Sequence, residues 1–250
     1  MTRRLLILGG TIEALTLAQL LAADTRLQVI TSLAGRTRSV RPPAGQLRRG
    51  GFGGVSGLVD YLRTQAIDLV VDATHPFAAT MAAHACVACA ETGSPRLKIV
   101  RPPWQEQPRD HWAHVPDTAA AAALLADRSG CVLLTVGRQE LGAFANVAGP
   151  RLLARMIEPP EPRPRSIELI LGRGPFTVED ELQLLREREV TALVSKNSGG
   201  TMTAAKLVAA RRLAIPVVMI ERPPLPGGEQ VQTAEQAAGW VSARLAASGG

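Results

Sequence analysis

Apolar residues fall along the chain in short continuous runs, each followed by a longer stretch with helical spacing. Arg3 to Leu8 predicts a strand, Ile12 to Ala23 an amphipathic helix, Leu27 to Thr31 a second strand and Gln46 to Arg49 a weak third. Leu58 to Gln65 predicts a helix, Ile67 to Asp72 a strand, Phe77 to Thr92 a helix and Arg96 to Val100 a strand. Runs that are apolar throughout belong to strands covered on both faces. Their alternation with helices predicts a parallel sheet.

Arg101-Pro102-Pro103-Trp104 breaks the pattern, which then restarts. Helices are predicted over Thr118 to Asp127, Thr177 to Glu189, Thr201 to Leu213 and Thr233 to Ala246. Strands are predicted over Cys131 to Val136, Ile167 to Leu171, Val190 to Val194 and Val217 to Ile220, and the proline-rich Pro159 to Pro164 reads as a loop. The expected organisation is two α/β domains, residues 1–101 and 102–250, with a hinge near residues 101–105. The pattern leaves open which domain the last helix joins.

An internal repeat supports two related halves. Shifted by 121 residues, Thr80-Met81 falls on Thr201-Met202, Ala83, Val87 and Ala88 on Ala204, Val208 and Ala209, and Pro95 and Ile99 on Pro216 and Ile220. Arg101-Pro102-Pro103 falls on Arg222-Pro223-Pro224. In this register Thr74 and His75 correspond to Ser195 and Lys196, so both polar stretches sit at the same strand end. Ligands of open α/β sheets bind at the carboxyl ends of strands.

Composition narrows the function classes. About 46% of residues are hydrophobic, enough for a sizeable core, and no apolar run is long enough to span a membrane. The run Leu5 to Leu8 is too short for a signal peptide and Glu13 follows it, so a cytoplasmic protein is expected. Cys86, Cys89 and Cys131 are odd in number and lack framework spacing. The CxxC lies in a helical stretch and reads as core packing, and His111 and His114 as exposed loop or edge strand, so no metal site is expected. The net charge is +6, with only three lysines, Lys98, Lys196 and Lys206, against many arginines. Arginine forks suit phosphates and carboxylates. Aromatics are scarce at 3% and the charges form no dense run, so polyanionic small molecules fit better than nucleic acid.

Four motifs carry the candidate chemistry. Gly9, Gly10, Thr11, Ile12 and Glu13 follow the first strand and open a helix, the context of a dinucleotide fingerprint. The glycines permit close backbone approach and the helix start can hold a pyrophosphate, although GxGxxG is not met and an ordinary glycine-rich turn fits too. After the second strand come Thr31, Ser32, Arg36 and Arg38. The acidic residue that would hold both ribose hydroxyls of NAD is missing there. The basic loop favours the 2′-phosphate of NADP, or is simply solvated. In VVDATHPFAA, Asp72, Ala73, Thr74 and His75 end a buried strand, either as a pocket wall facing a nicotinamide or as local capping. Lys196, Asn197, Ser198, Gly199, Gly200 and Thr201 form a fourth turn, a nest of N–H donors beside a cation. Arg138 is a smaller possible anion contact.

ILGGTIEA, TSLAGRT, VDATHPFA and SKNSGG, in this order and across essentially the whole chain, resemble the precorrin-6A reductase family of the cobalamin (corrin) pathway. The resemblance implies two Rossmann-like domains with NADPH and a tetrapyrrole in the cleft between them. It implies NADPH-dependent reduction of a C=C bond of precorrin-6A to give precorrin-6B, with other corrin-pathway enzymes as conceivable partners. A polycarboxylated macrocycle suits an arginine-rich site. Reduction also needs a proton, for which His75, tuned by Asp72, is the side chain at hand, with solvent or the substrate as other sources.

Two alternatives are weighed. Short-chain reductases use Tyr-x-x-x-Lys, but the only tyrosine, Tyr61, is followed by Gln65 at that spacing. A basic, non-catalytic nucleotide- or nucleic-acid-binding module would bind oligonucleotides in a salt-sensitive way and oxidise no NADPH.

Overall fold

The computed structural model describes residues 2–34 and 42–247. Arg36 and Arg38 lie outside the described residues. The chain divides into two compact units, Met1–Arg101 with Pro224–Gly250, and Pro102–Pro223.

The first unit begins with β1 (Arg3–Leu8), α1 (Ile12–Leu21), β2 (Leu27–Leu33), β3 (Gln46–Arg49), α2 (Gly54–Thr64), β4 (Leu69–Asp72), α3 (Ala79–Thr92) and β5 (Arg96–Ile99). Because side chains alternate along a strand, Leu5 and Ile7 face one side and Leu6 and Leu8 the other, and all four are buried. Leu5 and Ile7 pack with Leu17 and Leu21 of α1, while Leu6 and Leu8 pack with Leu58 and Leu62 of α2 and Ala85 and Ala88 of α3. Both faces are covered, as a wholly apolar strand requires.

The second unit holds β6 (Trp112–Val115), α4 (Thr118–Leu125), β7 (Cys131–Thr135), a 3-10 turn (Leu141–Phe144), β8 (Arg151–Met156), β9 (Ile167–Leu171), α5 (Val178–Glu187), β10 (Val190–Lys196), α6 (Ala205–Arg212) and β11 (Val217–Ile220). Then β12 (Glu229–Val231) and α7 (Ala234–Ala247) complete the first unit. Ala234, Ala237 and Val241 of α7 bury themselves in the same cluster as α1, which settles where the final helix packs. Helix α5 starts on a capping box between Thr177 and Asp180.

The sheets are six-stranded and ordered β12-β5-β4-β1-β2-β3 and β6-β11-β10-β7-β8-β9, with every strand pair parallel. Position by position the two orders are the same, each a Rossmann arrangement. The sixth strands are exchanged along the chain: β6 follows β5 yet joins the second sheet, and β12 follows β11 yet joins the first. Strand β5 at Arg96–Ile99 maps by the 121-residue shift onto β11 at Val217–Ile220, so the repeat has a structural counterpart. In each sheet the order reverses between two central strands, β1 and β4 in the first, β7 and β10 in the second. Such a switch point leaves a crevice at the carboxyl strand ends.

Four details differ from the sequence expectations. Strands β8, β6 and β12 join those predicted, β6 carrying His114 at a sheet edge. Helix α3 begins at Ala79, two residues after the expected start at Phe77. Ser195 and Lys196 belong to β10, not to the turn after it. Helix α6 begins at Ala205, leaving residues 197–204 as a long connection.

Candidate active site at two switch points

The first switch point is built from β1, β2 and β4. The Gly9 amide donates to the Ser32 carbonyl at 2.9 Å, and a side chain at Gly9 would press on Thr31 Cγ2 at 3.0 Å and Leu33 Cδ2 at 3.2 Å. Gly10 has φ +110° with nothing within 4 Å of where a Cβ would stand. That conformation and that open approach are what glycine provides. Thr11 caps α1: its hydroxyl accepts from the Ala14 amide at 3.3 Å and donates to the Ala73 carbonyl at 2.6 Å. The two strand-end turns are thus tied together. Ile12 is 47% exposed at the helix start. Glu13 receives two hydrogen bonds from Arg101 Nη1, at 2.9 and 3.0 Å.

Asp72 is fully buried at the end of β4. Its Oδ1 accepts from the Thr74 amide at 3.0 Å, the Thr74 hydroxyl at 2.7 Å and Lys98 Nζ at 2.9 Å. Lys98 also donates to the Thr74 carbonyl at 3.1 Å and lies within 3.0 Å of its hydroxyl. Asp72 Oδ2 is buried without a hydrogen-bond partner. Burial lowers the Lys98 pKa, and the adjacent Asp72 carboxylate works in the opposite direction. Lys98 is only 2% exposed and was not singled out by its motif. A signal existed: a lysine inside the apolar run Arg96 to Val100 requires a buried carboxylate, and Asp72 stands beside Lys98 in the β4–β5 register.

Among the described residues, Asp72 engages Lys98 and Thr74. His75 Nδ1 accepts from the Phe77 amide at 3.2 Å, and its carbonyl accepts from the Ala78 amide at 2.8 Å. The neutral tautomer that fits the first bond carries its proton on Nε2.

At the end of β2, Thr31 is fully buried and its hydroxyl lacks a partner. Ser32 is buried and accepts from Arg48 Nη1 at 3.2 Å. No acidic residue stands at this strand end.

The second switch point is built from β7 and β10. Lys196 Nζ bonds Glu140 Oε1 at 2.8 Å. Asn197 Oδ1 accepts from the Trp104 amide at 2.8 Å, and Trp104 Nε1 donates to the Gly200 carbonyl at 2.8 Å. Arg222 donates to the carbonyls of Asn197 at 2.8 Å and Ser198 at 3.0 Å. Gly199 and Gly200 have φ +67° and +80°. Ser198 is buried, whereas Thr201 is exposed. Arg138 stands 4.0 Å from Glu158. The Asn197 side chain is thus spent on holding the Trp104 segment, an anchor that sequence spacing does not reveal.

A buried cation lies behind this turn. Lys206 is 6% exposed, with Nζ 5.1 Å from the centroid of the Trp104 ring. Burial, reinforced by Arg155 and Lys196 and opposed by Glu181, brings its pKa down to about 8. Arg155 and Glu181 form a two-bond ion pair at 2.7 and 2.9 Å. The cysteines are free, and burial pushes the Cys89 thiol up to about 12, an inert core residue. Among the described residues no cluster suits a metal ion, and no helix is long and apolar enough to cross a membrane.

Paired Rossmann-like units with glycine-bearing polar turns at their switch points define a nucleotide-binding class of α/β protein. Comparison with known proteins is more specific. The family model described as "Precorrin-6x reductase CbiJ/CobK" matches residues 4–242. The precorrin-6A reductase of Rhodococcus erythropolis is 48% identical over 240 residues, covering 95% of this chain and 97% of the relative. That of Rhodobacter capsulatus is 45% identical over 242 residues, covering 96% of each. A solved structure titled "CobK precorrin-6A reductase" superposes with a TM-score of 0.89 at 45% identity over 97% of both chains. The chain belongs to the precorrin-6x reductase family, oxidoreductases of cobalamin biosynthesis. Reductase activity on this fold implies a nicotinamide cofactor.

Proposed function

We propose that the chain reduces a C=C bond of the precorrin-6A macrocycle to give precorrin-6B, with NADPH held at the first switch point. The observation that carries the cofactor placement is the turn Gly9-Gly10-Thr11, open at Gly10 and locked to Ala73. Gly9, Gly10 and the α1 amides near Ile12 would hold the pyrophosphate. Ser32, at a strand end with no carboxylate, accommodates the ribose carrying the extra phosphate. Ala73 and Thr74 form the wall beside the nicotinamide. Bound there, NADPH supplies a hydride.

The chain's own groups supply position and charge. Lys98 and Asp72 hold Thr74 in one conformation. Glu13, satisfied by Arg101, is held at the helix start, where the dipole favours an acidic group. At the second switch point we assign the Gly199 and Gly200 turn, Lys196 and Arg138 to the macrocycle's carboxylates. Asn197, Ser198 and Thr201 shape that turn.

His75 is assigned a positioning part. Its Nδ1 accepts from the Phe77 amide, which ties the ring to the turn that follows β4. His75→Ala is expected to slow single-turnover hydride transfer by less than about tenfold, because removing a general acid costs about 10²–10⁴-fold. A loss of about a hundredfold would assign proton delivery to His75. Fluorescence titration tests the cofactor reading: NADPH is expected to bind more tightly than NADH, and binding of neither would refute it.

A further inference from the structure

We propose that Arg48 helps select NADPH over NADH, by receiving the 2′-phosphate at the end of β2. The proposal rests on the cofactor placement given above and names a group outside the motifs that led to it. Arg48 lies on β3 opposite Ser32, its partner in the β2–β3 register. Its Nη1 donates to Ser32 Oγ at 3.2 Å and to the Gly50 carbonyl at 2.6 Å, and its Nη2 to the Gly51 carbonyl at 2.8 Å. The guanidinium carbon stands 3.8 Å from the Phe52 ring centroid and 4.9 Å from that of Tyr61. Those two rings meet edge to face at 5.2 Å. Stacking and hydrogen bonds together fix the plane of the fork before any ligand arrives.

Charge gives the second argument. Among the described residues no carboxylate forms an ion pair with Arg48, unlike Arg3, Arg101, Arg155 and Arg211, which are each paired. A fixed, half-buried cation without an anionic partner therefore borders the strand end where an NAD-specific site would place an acid. Ser32 accepts from Arg48, so its own hydroxyl proton remains to be donated to a phosphate oxygen. Among the described residues, nothing lies within 4 Å of where Cβ atoms of the adjoining Gly50, Gly51, Gly53 and Gly54 would stand.

The test is a nicotinamide-fluorescence titration of wild type, Arg48→Gln and Arg48→Lys with NADPH and with NADH. Arg48→Gln is expected to weaken NADPH binding by about tenfold or more, as loss of charge-assisted bonds implies, while NADH affinity stays within about twofold. Competition should agree: the advantage of 2′,5′-ADP over 5′-AMP shrinks by the same factor. Equal weakening of both cofactors, or an unaltered preference, would overturn the assignment. Should Arg48→Gln fail to fold, Arg48→Lys decides: its preference should fall below that of wild type, and a full wild-type preference rejects the proposal. A wild type indifferent between the cofactors would instead remove the NADPH reading itself. A wild type preferring NADPH beside an Arg48→Gln that still prefers it removes only Arg48.

Discussion

Replacing Lys98 by Met is expected to destabilise the first unit by roughly 3–5 kcal/mol, the cost of leaving one member of a buried ion pair behind. Lys98 is 2% exposed, Asp72 is fully buried, and the two meet at 2.9 Å. Without the ammonium, the Asp72 carboxylate keeps only Thr74, and its second oxygen is already without a partner. A buried carboxylate deprived of its cation takes up a proton at higher pH. NADPH binding by the variant should therefore vary with pH, weakening as the carboxyl takes up its proton. The double variant Asp72→Asn, Lys98→Met removes both charges and should recover part of the stability, because the neutral pair leaves no buried ion. Thermal melts of the three proteins, with NADPH titrations at several pH values, check this. Full stability in Lys98→Met alone would contradict it.

The second large effect is expected at Gly199. A Cβ there would lie 2.0 Å from the Pro102 carbonyl oxygen and 2.7 Å from Arg222 Nη2, at φ +67°. No rotamer relieves a collision with backbone, so the turn and the Pro102 segment must separate, weakening the bonds between Trp104 and Asn197 and Gly200. Gly199→Ala should cost about 2–4 kcal/mol, from left-handed strain plus forced displacement. Gly93→Ala is the control: φ is +69° at the end of α3, with nothing within 4 Å of the new methyl. It should show the strain alone, about 1–2 kcal/mol. In turnover, Gly199→Ala should raise the KM for the macrocycle and leave NADPH affinity unchanged, because the cofactor is assigned to the other unit. A loss confined to NADPH affinity would contradict the division of labour.

Much of this framework is legible in the sequence. Strands such as Arg3–Leu8 and Val217–Ile220 are continuous apolar runs between turn residues, and such runs declare buried parallel strands directly. Strand β8 is hidden because Arg-Leu-Leu-Ala-Arg-Met is built from good helix formers, and packing between β7 and β9 overrides that preference. Strand β12 is three residues long and begins with Glu229 and Gln230, so no apolar run marks it. The exchange of sixth strands depends on which sheet offers an edge, which local pattern does not encode.

The site was legible as motifs but not as bonds. ILGGTIEA, VDATHPFA and SKNSGG each mark the carboxyl end of a strand. Their partners lie far along the chain: Lys98 for Asp72, Trp104 and Arg222 for Asn197, Arg48 for Ser32. Helix α3 starts at Ala79 and not at Phe77 because His75 closes a turn through its Nδ1 and its carbonyl, to the Phe77 and Ala78 amides. VVDATHPFAA thus reads as a strand end whose aspartate is tied to Lys98 and Thr74 and whose histidine closes a turn.

The most direct measurement is a single turnover with precorrin-6A and NADPH carrying deuterium as the transferable hydrogen of its nicotinamide ring. The account predicts that one equivalent of NADPH is oxidised per macrocycle reduced and that the deuterium is recovered on carbon in the product. A macrocycle reduced without deuterium, or left unchanged while NADPH persists, would contradict it.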